Sequence, residues 1–305
     1  MLLWPMRSKC RYAGVNRIDQ AFNPSDVKGS DAFLGREFPM SSRDFRKISA
    51  LSYKLSGIVL SDAKQEMVYS RLARRLRVLG IQRFEQYMEV IESGDKAEQE
   101  HFLNSITTNL TSFFRENHHF EYLKDIAIPA LRKVHAADRR IRVWCSAAST
   151  GEEPYSIAMV FRESFPASSG WDIKILATDI DSEVVNTAKQ GVYAQNRVDG
   201  MPEKRLKRWF TKTPSGHYEV EQELKNMLTF KTLNLLHSWP MHGPFDVVFC
   251  RNVIIYFDKQ TQCELFEKIQ QMMPADRFLF IGHSESLLHV SDAFDSKGGT
   301  IYHKR

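Results

Sequence analysis

The sequence predicts an α/β protein in which a mostly parallel sheet is covered by helices. Three observations carry that reading. From about Arg140 onward, short β-branched runs alternate with segments of helical periodicity. Upstream, residues 42–117 show helical periodicity alone, so an all-helical segment precedes the sheet. Between Gly191 and Asn234 the alternation breaks into short runs around Pro214-Ser215-Gly216, the pattern of a small antiparallel insertion.

Taken in order, residues 1–39 lack sustained periodicity and carry turn chemistry at Asn23-Pro24-Ser25 and Lys28-Gly29-Ser30, so they read as a disordered leader. Met40 is then a candidate start codon. Ser61 and Asp62 are cap candidates for a long helix that runs to Leu79 and ends at Gly80. In it Leu72, Leu76 and Leu79 share one face. Arg71, Arg74, Arg75 and Arg77 take an opposite arc of roughly 160°, at about 100° per residue. Further helix is expected over 84–91 and 97–106. The alternating part reads as strand 141–145, helix 152–165, strand 173–177 and helix 182–190. Strand 245–250, helix 259–273, strand 278–282 and a last strand near 300–302 follow. The insertion, at about 195–232, takes runs 208–211, 218–220 and 227–230 as its strands. The domain division is therefore 1–39, 40–117 and 118–305.

Composition narrows the function classes. No apolar run approaches the ~20 residues of a membrane helix, and the basic residues Arg7 and Lys9 follow the short apolar opening, the reverse of a secretory signal. The 20 Phe, 10 Tyr and 5 Trp are enough to bury a large core. There are 42 basic and 37 acidic residues, a balance of +5. The first 39 residues, with six basic and four acidic, hold +2 of it, which leaves +3 for the rest and no charge argument for nucleic acid. Cys10, Cys145, Cys250 and Cys263 form no CxxC pair, and no His spacing suits a metal, so buried thiols in a reducing cytoplasm and no metal are expected.

Ligands of open parallel sheets bind beyond the carboxyl ends of the strands. After the first strand comes Ser146-Ala147-Ala148-Ser149-Thr150-Gly151-Glu152-Glu153, small residues that let a ligand approach the backbone. It is neither a GxGxxG loop nor a Walker loop, and its two acids repel phosphate. Thr150-x-x-Glu153 also reads as a capping box, which would make those acids structural. After the second strand, Asp179 stands where a ribose diol is held; Asp181 or Ser182 can cap the next helix instead. A small-residue loop and an acid, without a phosphate site, suit S-adenosylmethionine.

Five runs then carry a family resemblance. They are Thr108-Asn109-Leu110-Thr111-Ser112-Phe113-Phe114-Arg115-Glu116, the stretch from Ala147 to Ala158, and Ala177-Thr178-Asp179-Ile180-Asp181. The last two are Phe249-Cys250-Arg251-Asn252-Val253-Ile254-Ile255-Tyr256-Phe257-Asp258 and Gly282-His283-Ser284-Glu285-Ser286. In order and spacing, over residues 42–305, they resemble the CheR-type chemotaxis-receptor glutamate methyltransferases.

The resemblance implies a Rossmann-like S-adenosylmethionine-dependent sheet, an N-terminal helical receptor-docking domain and a small β-subdomain. Asn109, Thr111 and Arg115 match residues at the methionine end of the cofactor, Glu153 a further cofactor ligand, and Asp179 the ribose acid. Asn234 and Leu235 match the adenine-flanking segment, Cys250, Arg251 and Asn252 the rim, and Tyr256 an aromatic beside the transferred methyl. Arg115 and Tyr256 are the catalytic candidates, and S-adenosylhomocysteine is the product. The implied partner is the acidic helical methylation region of chemoreceptors, docked on Arg71, Arg74, Arg75 and Arg77; a solvated helix face is the alternative. A receptor C-terminal peptide is a candidate ligand of the β-subdomain, and a cytoplasmic monomer is implied.

Arg251 also reads as a surface ion-pair partner, and Cys250 as an inert lining residue. Two rival functions stand beside this one. A nucleic-acid methyltransferase lacks support, because Arg251-Asn252-Val253-Ile254 has no [DN]PPY character and the basic face has no aromatic platform. A non-catalytic module that binds S-adenosylmethionine is the other.

Overall fold

The computed structural model describes residues 36–305. The predicted leader thus lies outside the described residues except for its last four, among which Phe38 is buried and Glu37 pairs with Arg77. The chain divides into two compact units. The first holds the described residues through Thr107 together with 256–264 and 288–292; the second holds the remainder from Thr108.

The first unit is helical: α1 (Ser42–Ser56), α2 (Gln65–Leu79), α3 (Phe84–Glu92) and α4 (Lys96–Ile106). Several of the helix ends have a local cause. Ser41 and Asp44 form a reciprocal capping box on α1, and Asp95 accepts from the amides of Ala97 and Glu98 at the head of α4. Asp62–Lys64 forms a 3-10 turn ahead of α2, so the predicted caps begin that turn, and Gly80 ends α2 in the left-handed conformation. Ile48, Val68, Leu72, Leu76, Tyr87, Ile91 and Phe102 supply its fully buried core.

The second unit is built on a seven-stranded sheet of order β6-β2-β1-β7-β8-β10-β9. Its strands are β1 (Arg140–Cys145), β2 (Asp172–Asp179), β6 (Leu228–Thr232), β7 (Val247–Cys250), β8 (Phe278–Ile281), β9 (Phe294–Gly298) and β10 (Ile301–Lys304). The first five of these are parallel, and β10 runs antiparallel between β8 and β9. The sheet therefore grows outward in both directions from β1, which pairs with β2 on one side and β7 on the other. That reversal opens a crevice at the carboxyl ends of β1 and β7. Alternate residues of β1 serve opposite faces. Val143 and Cys145 join a core with α5 (His118–Tyr122), α6 (Ile128–Val134), α7 (Glu152–Ser164) and α8 (Ser182–Gln190). Trp144, on the other face, packs edge-on against Trp239. No helix of the described residues is long and apolar enough to cross a membrane.

Two expectations are corrected. The insertion's sheet is β3-β5-β4, from β3 (Val192–Tyr193), β4 (Phe210–Lys212) and β5 (Tyr218–Val220). The predicted third strand at 227–230 belongs to β6, the parallel edge of the main sheet. At the edge of the sheet one face of β6 is left open to solvent, so the strand alternates like an antiparallel ribbon: Phe230 is buried while Thr229 and Lys231 are exposed. The last strand expected near 300–302 is β10, but it does not stand alone: β9 precedes it, and the two form a hairpin joined through Gly299 and Thr300.

Candidate functional site

The predicted ligand loop leaves β1 at Cys145 and turns into α7 at Gly151. Gly151 has φ +101°, and a Cβ there would stand 2.7 Å from Tyr193 Oη and 2.9 Å from Ala188 Cβ, so glycine is required twice over. The loop is sewn to its neighbours. Ser149 donates its amide to Asp179 Oδ2 at 2.8 Å and its hydroxyl to the Asn109 carbonyl at 3.0 Å. Asn109 Nδ2 in turn donates to Asp181 Oδ2 at 2.7 Å. The Leu233 amide donates to the Asp179 carbonyl at 2.8 Å, which brings Asn234 and Leu235 to the end of β2. Lys268 Nζ holds that segment by the Leu236 carbonyl at 2.8 Å. Four stretches far apart in sequence thus converge at one strand end.

Asp179 is buried at 8% exposure, and burial pushes its carboxyl up to about 6, against the pull of the Asp181 and Ser149 amides. Those two amides leave acceptor capacity on its oxygens. The capping alternative falls to Asp181, whose side chain accepts from Glu183 and Val184 at the head of α8.

The capping box expected at Thr150 does not form. Gly151 is the N-cap of α7, and Thr150 Oγ1 donates to Glu152 Oε2 instead. Glu152, fully buried, pairs with Arg197 from α9 (Gln195–Val198), and Glu153 turns inward. Burial raises the Glu153 carboxyl although Arg251 Nη1 lies 2.6 Å away, and Cys145 Sγ donates to it at 3.2 Å. Nor is Arg251 a surface residue. It is 3% exposed, reaches Glu116 at 3.1 Å, and donates to the Arg115 carbonyl at 2.6 Å. Its Nε is buried without a partner among the described residues. Cys250 is fully buried, and burial raises its thiol, which fits an inert lining residue.

Glu116, Glu285 and His283 lay in quoted motifs without a role. Burial would raise Glu116, yet His283, Arg251 and Asn252 together lower it to about 2. Glu285, 6% exposed, accepts from the amides of Gly282, Asn252, Ile254 and Ile255 and thereby fixes the turn after β7. Asn252 sits there with φ +56°. Glu116 was signalled only by following Arg115, and Glu285 stood beside no residue given a role; what hid both was that Asn252, from the end of β7, is a partner of each.

Arg115 is half-buried and donates to the Leu110 carbonyl at 2.9 Å, and Thr111 is half-buried between them. Tyr256 belongs to the first unit, where Lys64 Nζ stands 4.7 Å from its ring centroid. The arginine face of α2 is not uniform. Arg75 forms a half-buried pair with Glu98 at 2.5 Å, Arg77 pairs with Glu37 at 2.7 Å, and Arg71 donates to the Ser105 and Thr107 carbonyls at the end of α4. The acids that balance the cluster come from outside the helix, which its own sequence does not reveal. Arg74 is exposed.

An acid with spare acceptors closes β2, small residues and Gly151 line the loop, and the head of α7 carries its own two carboxylates where a polyphosphate would need open amides.

The comparisons decide the family. Residues 109–303 match the family model described as CheR methyltransferase, SAM binding domain, and residues 43–107 match CheR methyltransferase, all-alpha domain. The chain belongs to the CheR methyltransferase family. It is 44% identical over 271 residues to the chemotaxis protein methyltransferase of Escherichia coli K12, covering 86% of this chain and 91% of that protein. Chemotaxis protein methyltransferase 2 of Pseudomonas aeruginosa is 42% identical over 90% of this chain and 97% of its own length. The Salmonella typhimurium chemotaxis protein methyltransferase is likewise 42% identical, over 88% and 92%. The Rossmann-like sheet, the helical N-terminal segment and S-adenosylmethionine as methyl donor follow from this membership.

Proposed function

We propose that this CheR methyltransferase transfers the methyl group of S-adenosylmethionine to glutamate side chains of chemoreceptors, in the cytoplasm, giving glutamyl methyl esters and S-adenosylhomocysteine. The observation that carries the reading is the convergence of Asn109, Ser149, Asp179 and Asn234 on one strand end beside the buried Glu153–Arg251–Glu116 cluster. The donor supplies an electrophilic methyl on a sulfonium. Asp179 offers acceptors to the ribose diol, and Arg115 offers a fork to the methionine carboxylate. Asn234, Leu235 and the Arg251–Asn252 corner border the rest of the donor.

The acceptor glutamate needs no general base, since a free side chain ionises near ~4.3 and is already a nucleophile at neutral pH. Opposite charges cancel as carboxylate and sulfonium meet, and water stabilises the separated ions better than that transition state. Alignment and exclusion of water therefore carry the acceleration. A Ser/His/Asp or Cys/His constellation has no part in this chemistry. Tyr256 is proposed to face the sulfonium through its ring or hydroxyl; full turnover by Tyr256→Phe would exclude the hydroxyl.

For the receptor, Arg74 is the arginine of α2 best placed for electrostatic docking to an acidic helix, because its charge is exposed while Arg75 and Arg77 are paired. The β3–β5–β4 insertion is proposed as the seat of a receptor C-terminal peptide. The test is transfer of labelled methyl from S-adenosylmethionine to receptor-containing membranes, followed by mild base. Base-labile label on protein is expected; base-stable label, or label on nucleic acid, would refute the reading.

A further inference from the structure

Glu116 has no role in the assignments above, yet more of the site meets at its carboxylate than at any residue assigned there. Oε1 accepts from His283 Nδ1 at 2.9 Å and Asn252 Nδ2 at 3.2 Å; Oε2 accepts from the His283 amide at 3.0 Å and faces Arg251 Nη2 at 3.1 Å. Its side chain is only 9% exposed. The backbone around it is strained: Phe114 has φ +54° and Glu116 φ +57°, both left-handed without being glycine. Such residues persist only where their surroundings over-determine them. Here the surroundings include the Glu116 carboxylate itself, Arg251, which donates to the Arg115 carbonyl at 2.6 Å, and Ser156 Oγ, which accepts from the Phe114 amide at 3.0 Å. Arg115 lies between the two strained residues; its guanidinium donates to the Leu110 carbonyl at 2.9 Å, and its Nε stands 4.0 Å from Glu116 Oε1, so Glu116 also meets it directly.

We propose that Glu116 is a positioning residue for methyl transfer: by gripping Arg251, Asn252 and His283 it locks the 114–116 turn and so aims Arg115 at the methionine carboxylate of the donor. The proposal rests on the reading of Arg115 given above. It separates Glu116 from a merely structural acid by one property. If Glu116 acts through Arg115, its substitution loses its effect on the donor once Arg115 is gone.

Glu116→Gln keeps the shape, but it must turn an amide NH2 toward one pair of donors: His283 Nδ1 and Asn252 Nδ2, or the His283 amide and Arg251. Binding of S-adenosylhomocysteine to the full chain is measured by calorimetry for wild type, Glu116→Gln, Arg115→Ala and the double variant, with a melting curve for each. The expected result is a loss of about tenfold for Glu116→Gln alone and less than about threefold when Arg115 is already alanine. If Glu116→Gln does not fold, His283→Ala removes one exposed grip on the same carboxylate. Its expected loss is about threefold, again vanishing in the Arg115→Ala background. Equal losses in both backgrounds would overturn the proposal. A wild-type chain that fails to bind S-adenosylhomocysteine would overturn the reading of the site, and the proposal with it.

Discussion

Replacing Arg251 by methionine tests the buried cluster directly. The guanidinium is almost fully enclosed, 2.6 Å from Glu153 and 3.1 Å from Glu116, so its removal strands two carboxylates. Breaking a buried pair by deleting one partner costs about 3–5 kcal/mol. For a folding unit of this size each kcal/mol moves the melting point by about 2–4 °C, so Arg251→Met should lower it by about 6–20 °C. The loss has a pH signature. Burial already holds Glu153 above its ordinary value, and without Arg251 it rises further. A carboxyl raised in the folded state costs stability at high pH and ceases to do so as pH falls below its folded value. The deficit should therefore be largest near pH 7–8 and shrink toward pH 5. Urea melts of wild type and variant across that range measure it. Adding Glu153→Gln removes one stranded charge and should restore part of the loss. A pH-independent deficit below about 1 kcal/mol would show that Arg251 behaves as a solvated surface charge, and would refute the argument.

Further outcomes are expected at Asp179, Gly151 and the α2 arginines. Asp179→Ala should weaken S-adenosylhomocysteine binding by about 10- to 150-fold, equivalent to about 1.5–3 kcal/mol for charge-assisted hydrogen bonds. Because the Asp179 carboxyl sits at about 6 and the diol requires its ionised form, wild-type affinity should fall as pH drops below that value, while Asp179→Asn should show no such fall in calorimetry. Gly151→Ala meets both a positive φ and the 2.7 Å contact with Tyr193 Oη, so urea unfolding should register a loss of about 1–3 kcal/mol. Arg74→Glu should raise the receptor KM and flatten its salt dependence at unchanged melting temperature, whereas Arg75→Ala, which strands Glu98, should lower the melting temperature.

What the sequence made legible follows from the range of the interactions involved. Helix α8 and its glycine stop were readable because cap and period are local to the chain: Asp181, the apolar face and Gly191 lie within eleven residues. That Asp179 closes β2 was readable because the end of a parallel strand follows from the pattern of alternation. The strand β6 was misplaced because alternation reports one polar side, which a parallel edge strand shares with an antiparallel ribbon. Thr150 was read with Glu153 as a capping box because spacing alone cannot show that Glu153 is claimed by Arg251, 98 residues on. The arginine face failed as a uniform surface for the same reason: Glu98 and Glu37 neutralise Arg75 and Arg77 from other segments. Glu116 and Glu285 are the extreme case, since their partners come from the ends of β7 and β8.

Methyl transfer to a receptor glutamate is the central claim, and the position of the methyl group tests it most directly. A purified receptor cytoplasmic fragment is incubated with the chain and S-adenosylmethionine, then digested and sequenced by mass spectrometry. The account predicts the mass of one added methylene on glutamates of the helical methylation region, lost on mild base and absent with Asp179→Ala. Methyl groups on lysine, arginine or a nucleic acid, or no transfer by a chain that binds S-adenosylhomocysteine, would contradict it.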